Sequence, residues 1–236
     1  AQLIESAVTE KVDGLAVSAP DPDAISSAVR RAVDAGIPVI TLNSGLDAYQ
    51  DLGAMTHVGQ TEGIAGEAAG RRLADEGAAL YPILSDNVWS LDTRFYTAEQ
   101  VKSRLEAICG RPIWHTLPEV EPIGPKHLLD LLIVAPCTGN SLGKLAGGII
   151  DTPVVMAAKS QLRNGGPVLL AVSTNDALAM CAKNIGALLA CRNFYFVPFR
   201  QDSPEKKPAS LVARFDLLFE SACAALEGRQ LQPLLV

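Results

Sequence analysis

Apolar and polar positions alternate along the chain with two periods that trade places at short intervals. Leu3, Ile4, Ala7 and Val8 recur at helical spacing, which predicts a helix over 1–11. The apolar run at 15–19 predicts a strand. Pro20-Asp21-Pro22-Asp23 then opens a helix that ends at Gly36 and buries Ile25, Ala28, Val29, Ala32 and Val33. Residues 38–42 read as a second strand, and two strands joined through a helix in this way run parallel. After a polar loop at Asn43-Ser44-Gly45, the pattern predicts a weak strand over 56–59 and a helix over 61–76 closed by Gly77. Strands follow at 79–84, 131–135, 168–172 and 194–198. Between and after them come helices at 98–108, from Ser141, at 177–190 and at 211–226. Continuous Val/Ile/Leu strands alternating with helices predict an α/β protein with a doubly wound parallel sheet covered on both faces.

Composition adds one feature that the periodicity hides. The first 79 residues hold five Lys/Arg, twelve Asp/Glu, one aromatic residue (Tyr49) and no cysteine. The remainder holds fifteen Lys/Arg, fourteen Asp/Glu, eleven aromatic residues and all five cysteines. Two compositions meet near Ala79, as in a natural fusion, an engineered chimera or a misassembled reading frame. This divides the chain into segments 1–79 and 80–236 that are expected to share one sheet.

With 48% hydrophobic and 19% charged residues the chain is expected to pack a sizeable core. A net charge of −6 argues against nucleic acid as a partner, which calls for a basic face. No apolar run reaches the roughly 18 to 20 residues needed to cross a bilayer. Residues 1–10 have no basic lead into an apolar stretch, so neither membrane insertion nor export is expected. Cys109, Cys137, Cys181, Cys191 and Cys223 form no CxxC pair, which predicts reduced, mostly buried thiols of a cytoplasmic protein and no metal centre.

Two resemblances fit this division. Val12-Asp13-Gly14-Leu15-Ala16-Val17-Ser18, the stretch from Ala32 through Pro38-Val39-Ile40-Thr41-Leu42-Asn43 to Gly45, and His57-Val58-Gly59-Gln60 resemble the type 1 periplasmic sugar-binding proteins and their repressor relatives. The resemblance covers about residues 1–78, a fraction of the two lobes that such proteins close on a sugar. In that family, a polar residue placed like Asn43 would contact sugar. The second segment carries Asp92-Thr93-Arg94-Phe95, Glu121-Pro122-Ile123-Gly124-Pro125-Lys126, Val134-Ala135-Pro136-Cys137-Thr138-Gly139-Asn140-Ser141, Asp151-Thr152-Pro153, Ser173-Thr174-Asn175-Asp176 and Tyr195-Phe196-Val197-Pro198-Phe199. It resembles the B-subunit family of dipicolinate synthases, within the FMN-dependent flavoprotein superfamily. That resemblance implies a flavodoxin-like three-layer α/β/α fold, FMN as cofactor, and a homo-oligomer. It also implies an A-type subunit as partner in forming dipicolinate from a lysine-pathway intermediate during sporulation.

The candidate site follows from the topology. In open α/β sheets, ligands bind beyond the carboxyl ends of the strands. Two polar loops occupy such positions here: Pro136, Thr138, Gly139, Asn140 and Ser141 after one strand, and Ser173, Thr174, Asn175 and Asp176 after the next. Short hydroxyl and amide side chains there serve either as cofactor contacts or as ordinary helix caps. The resemblance favours the flavin. Asn140 and Asn175 are accordingly expected at one edge of the sheet, on the same side. Arg94 and Lys126 are candidates for a dicarboxylate substrate, because cations match carboxylates; Lys159, Arg163 and Arg214 are weaker ones. No catalytic residue emerges, since Cys137 has no base beside it and no Ser/His/Asp set can be assembled.

The family's phosphate-binding turn is replaced by His57-Val58-Gly59-Gln60-Thr61-Glu62-Gly63. Glu62 would put a carboxylate in the first helical turn, where it competes with phosphate, so weak FMN binding is expected. The rival expectations are a hybrid that folds without flavin and a sugar-binding module.

Overall fold

The computed structural model describes residues 2–17, 22–42, 48–58, 62–92 and 96–236. It divides into two compact units, Ala1–Thr61 and Glu62–Val236.

The first unit runs α1 (Gln2–Glu10), β1 (Leu15–Val17), α2 (Pro22–Asp34), β2 (Val39–Leu42) and β3 (Thr56–Val58). Its three strands form a parallel sheet in the order β1-β2-β3, with Ala16 opposite Ile40 and Thr41 opposite His57. Ile4, Val17, Ala28, Val29, Ala32, Val39, Leu52 and Ala54 close its core, and Arg31 of α2 pairs with Glu5 of α1. The helical spacing of these apolar positions is what brings α1 and α2 onto this core.

The Met55 amide bonds the Val39 carbonyl at 2.8 Å and delivers β3 to the free edge of β2. Residues 79–84 form no strand; Ile83 makes one parallel bridge, to Trp114. Pro82 removes a ladder donor from the middle of that run, which limits it to such a bridge. Among the described residues the strands form a three-stranded and a five-stranded sheet.

The second unit opens with α3 (Glu62–Asp75), α4 (Asp86–Ser90), α5 (Ala98–Cys109) and α6 (Leu117–Val120). A reciprocal capping box between Thr97 and Gln100 starts α5. Then follow β4 (Leu132–Cys137), α7 (Gly139–Gly147), α8 (Pro153–Arg163), β5 (Val168–Thr174), α9 (Ala182–Leu189), β6 (Phe194–Phe196), β7 (Phe199–Arg200), β8 (Leu211–Ala213) and α10 (Leu218–Leu226). Strand β5 is central, with every residue from Val168 to Val172 fully buried. Val168, Leu170 and Val172 pack with Leu142 of α7, Ala157 and Ala158 of α8, and Ile185 and Leu188 of α9. Leu169 and Ala171 point the other way, onto Ala69 and Leu73 of α3 and Leu218 and Ala222 of α10. The alternation along one strand thus produces the expected three layers.

The sheet is mixed rather than wholly parallel. β4 and β6 run parallel to β5, while β8 runs antiparallel to the end of β5, with Thr174 opposite Leu211, and β7 pairs with β8. The helix expected over 211–226 is therefore a strand, a short 3-10 turn and α10, because pairing with β5 captures Leu211-Val212-Ala213.

Candidate functional site at the carboxyl ends of β4 and β5

β4 and β5 keep register from Leu132 opposite Val168 to Val134 opposite Leu170, then slip so that Cys137 faces Val172. Pro136 lies within the slip and has no N–H to give the ladder. The slip delivers Thr138 as the N-cap of α7, and its hydroxyl makes no cap hydrogen bond. The capping reading therefore does not account for the Thr138 side chain.

The neighbouring strand ends in a second polar loop. The Ser173 hydroxyl is buried and has no hydrogen-bond partner. The Thr174 hydroxyl donates to Asp176 Oδ1 at 2.6 Å. The Asp176 carbonyl accepts from the amides of Ala179 and Cys181, and this turn delays α9 to Ala182, five residues later than the periodicity predicts. Thr174, then the Cys181 thiol, hold the Asp176 carboxyl below its ordinary range, so it stays ionised at neutral pH.

The two loops meet at Gly139. A Cβ there would lie 2.8 Å from Thr174 Oγ1, 3.1 Å from Asp176 Oδ1 and 3.3 Å from Cys181 Sγ. Only a residue without a side chain permits this approach. Asn140 and Asn175, both exposed, sit on these adjoining loops, which is the expected arrangement on one side of the sheet. An ionised Asp176 beside the first turn of α7 also occupies the positive end of that helix, where a phosphate would otherwise sit favourably.

Cys137 ends β4 fully buried, and burial, with Cys181 beyond it, pushes its thiol up to about 12. Burial, then Asp176, raises Cys181 as well. Both thiols are protonated at neutral pH. Cys181 is the site residue that reading did not find. Its place beside Gly139 depends on the turn at Asp176, which no apolar period announces.

The remaining cations lie elsewhere or have partners. Lys126 is exposed in a turn whose Gly124 amide bonds Ser160 Oγ at 2.9 Å and whose Gly124 carbonyl accepts from Asn164. Those contacts fix it at the end of α8 from which β5 starts, the end of the sheet opposite the loops. Arg94 falls outside the described residues, as does Asn43. Arg214 forms a two-point pair with Asp216 at 2.8 and 2.5 Å, and Lys159 and Arg163 are exposed on α8. Among the described residues no helix is long and apolar enough to cross a membrane.

The periplasmic binding protein domain profile matches residues 1–88 and the flavoprotein profile residues 71–204, so the two overlap across the compositional break. The B-type subunit of dipicolinate synthase from Bacillus subtilis is 44% identical over 164 residues, covering 70% of this chain and 82% of that protein. The crystal structure of the corresponding B-type subunit from Bacillus halodurans superposes with a TM-score of 0.68 at 34% identity, covering 95% of this chain and 96% of the other. The fold is thus flavodoxin-like α/β, and the chain belongs to the flavoprotein family.

Proposed function

We propose that the chain is a flavin-binding subunit of the dipicolinate synthase B type. It takes FMN between the loops 136–141 and 173–176 and works in the cytoplasm as a homo-oligomer, with an A-type subunit, on a lysine-pathway intermediate. The observation that carries this reading is the Ser173 hydroxyl, buried without a partner at the carboxyl end of the central strand. Such an orphan costs about 1–3 kcal/mol, a cost that a bound ligand's acceptor or donor relieves.

The residues present fit the polar edge of a flavin. Gly139 lets the two loops approach closely beside Pro136, and the side chains of Thr138, Asn140, Ser141, Ser173 and Asn175 supply donors and acceptors. Asp176, ionised and braced by Thr174, supplies an acceptor for a ring N–H. When bound, the flavin would supply reversible uptake of electrons or hydride. The chain's own contribution is to orient it and to hold the Asp176 carboxylate deprotonated. Arg94 is retained as the candidate for a substrate carboxylate, whereas the place of Lys126 gives it no part in this cleft.

Weak FMN affinity in the unaltered chain is part of this reading, because the family's phosphate turn is replaced in sequence by His57-Val58-Gly59-Gln60-Thr61-Glu62-Gly63, which carries a carboxylate. The test is a visible absorption spectrum of purified protein incubated with FMN and freed of excess by gel filtration. Partial loading with a shifted flavin band supports the reading. Protein that retains no flavin even at saturating FMN supports the rival, a hybrid fold without cofactor.

A further inference from the structure

Trp89 of α4 and His115, in the turn before α6, stack with ring centroids 3.6 Å apart and 10° between their planes. Lys102 Nζ of α5 lies 4.5 Å from the same indole centroid. A ring stacked that closely fills one face, so the ammonium takes the other. The imidazole Nδ1 is buried and has no hydrogen-bond partner, although Glu119 Oε2 is 3.6 Å away. That oxygen already accepts from the His115 amide at 2.9 Å, the Thr116 amide at 2.8 Å and the Thr116 hydroxyl at 2.7 Å. These bonds, the His115 amide first, hold the Glu119 carboxyl below its ordinary range and keep it ionised.

We propose that His115 is a proton-operated clasp between α4 and the 113–120 turn. His115 Nδ1 stands 3.6 Å from Glu119 Oε2 and makes no hydrogen bond. A protonated ring presents Nδ1–H to that carboxylate and a cation to the indole face, two attractions that act together. The opposing charge is Lys102 across the indole, and Glu99 at 3.1 Å offsets it. Of the other charged groups on the packed elements, Asp86 lies in the first turn of α4, and Arg111 is stacked on Tyr81 at 4.2 Å, which in turn packs on Trp114. The clasp acts on the connection from α4 into α5, where the Asp92 carboxylate accepts from the Ala98 amide at 2.8 Å. Acidification therefore fastens α4, and raising the pH releases it. None of this depends on flavin binding.

The chain contains two tryptophans, so Trp114→Phe in the full chain leaves Trp89 as the only indole. Its emission is titrated from about pH 8 to about pH 5, the span in which histidine changes charge. A protonated imidazole in contact with indole quenches it. A reversible drop of about twofold on acidification is expected, absent in His115→Gln and diminished in Glu119→Gln. A flat titration, or the same transition in His115→Gln, where His57 and His127 remain, overturns the proposal. Should Trp114→Phe not fold, hydrogen exchange of the α4 amides in the wild-type chain, corrected for intrinsic pH dependence, replaces it. Greater protection in acid that His115→Gln abolishes supports the clasp, and equal protection at both pH values refutes it.

Discussion

Gly139→Ala tests the meeting of the two loops directly. The added Cβ would lie 2.8 Å from Thr174 Oγ1, 3.1 Å from Asp176 Oδ1 and 3.3 Å from Cys181 Sγ, all closer than ordinary contact. The first two atoms are tied to each other by a 2.6 Å hydrogen bond, so neither yields alone. Overpacking of this kind costs about 1–3 kcal/mol. Replacing Gly by Ala in a helix interior returns up to about 1 kcal/mol, and less at the first position of α7. A net destabilisation of about 1–2 kcal/mol is expected in urea unfolding followed by circular dichroism. Thr174→Ala deletes the nearest clashing atom, so Gly139→Ala should cost less in that background, with a coupling of about 1 kcal/mol in the double-mutant cycle. Strictly additive costs would show that Gly139 and Thr174 do not meet as described.

Three further outcomes follow from the same geometry. Glu62→Ser should raise FMN affinity at least fivefold in equilibrium titration, since a carboxylate about 4 Å from a phosphate costs roughly 1 kcal/mol when solvated and more when shielded from water. Asp176 has its folded-state pKa lowered, so its contribution to stability is present above the ordinary carboxylate range and is lost as pH falls through the folded value. Asp176→Asn should flatten the fall in stability below about pH 4, read from melting temperatures across an acid series. In thiol labelling followed by mass spectrometry, exposed Cys191 and Cys223 should react first and Cys137 last, because its thiol is buried and pushed up to about 12.

Much of the fold was legible where the signal was local. The helix expected over 98–108 is α5, and the apolar runs at 131–135 and 168–172 announced β4 and β5. The misreadings arose where a distant partner decided. Leu211-Val212-Ala213 has helical neighbours in sequence but pairs with the end of β5. Helix α8 was not anticipated, although Thr152 and Pro153 stand at its N-cap and first position, where they signal a start. The two site loops were readable from topology alone, as each follows a parallel strand at its carboxyl end. The place of Lys126 was not, because the Gly124 contacts with Ser160 and Asn164 that fix it span about 40 residues of sequence.

The most direct measurement is a fluorescence titration of FMN into the wild-type chain, Ser173→Ala and Glu62→Ser, with circular dichroism to establish that all three are folded. If FMN lies between the 136–141 and 173–176 loops, binding is saturable, about tenfold weaker in Ser173→Ala through loss of one buried hydrogen bond, and stronger in Glu62→Ser. No saturable binding by any of the three, or equal affinity in wild type and Ser173→Ala, would contradict the assignment of that cleft to the flavin.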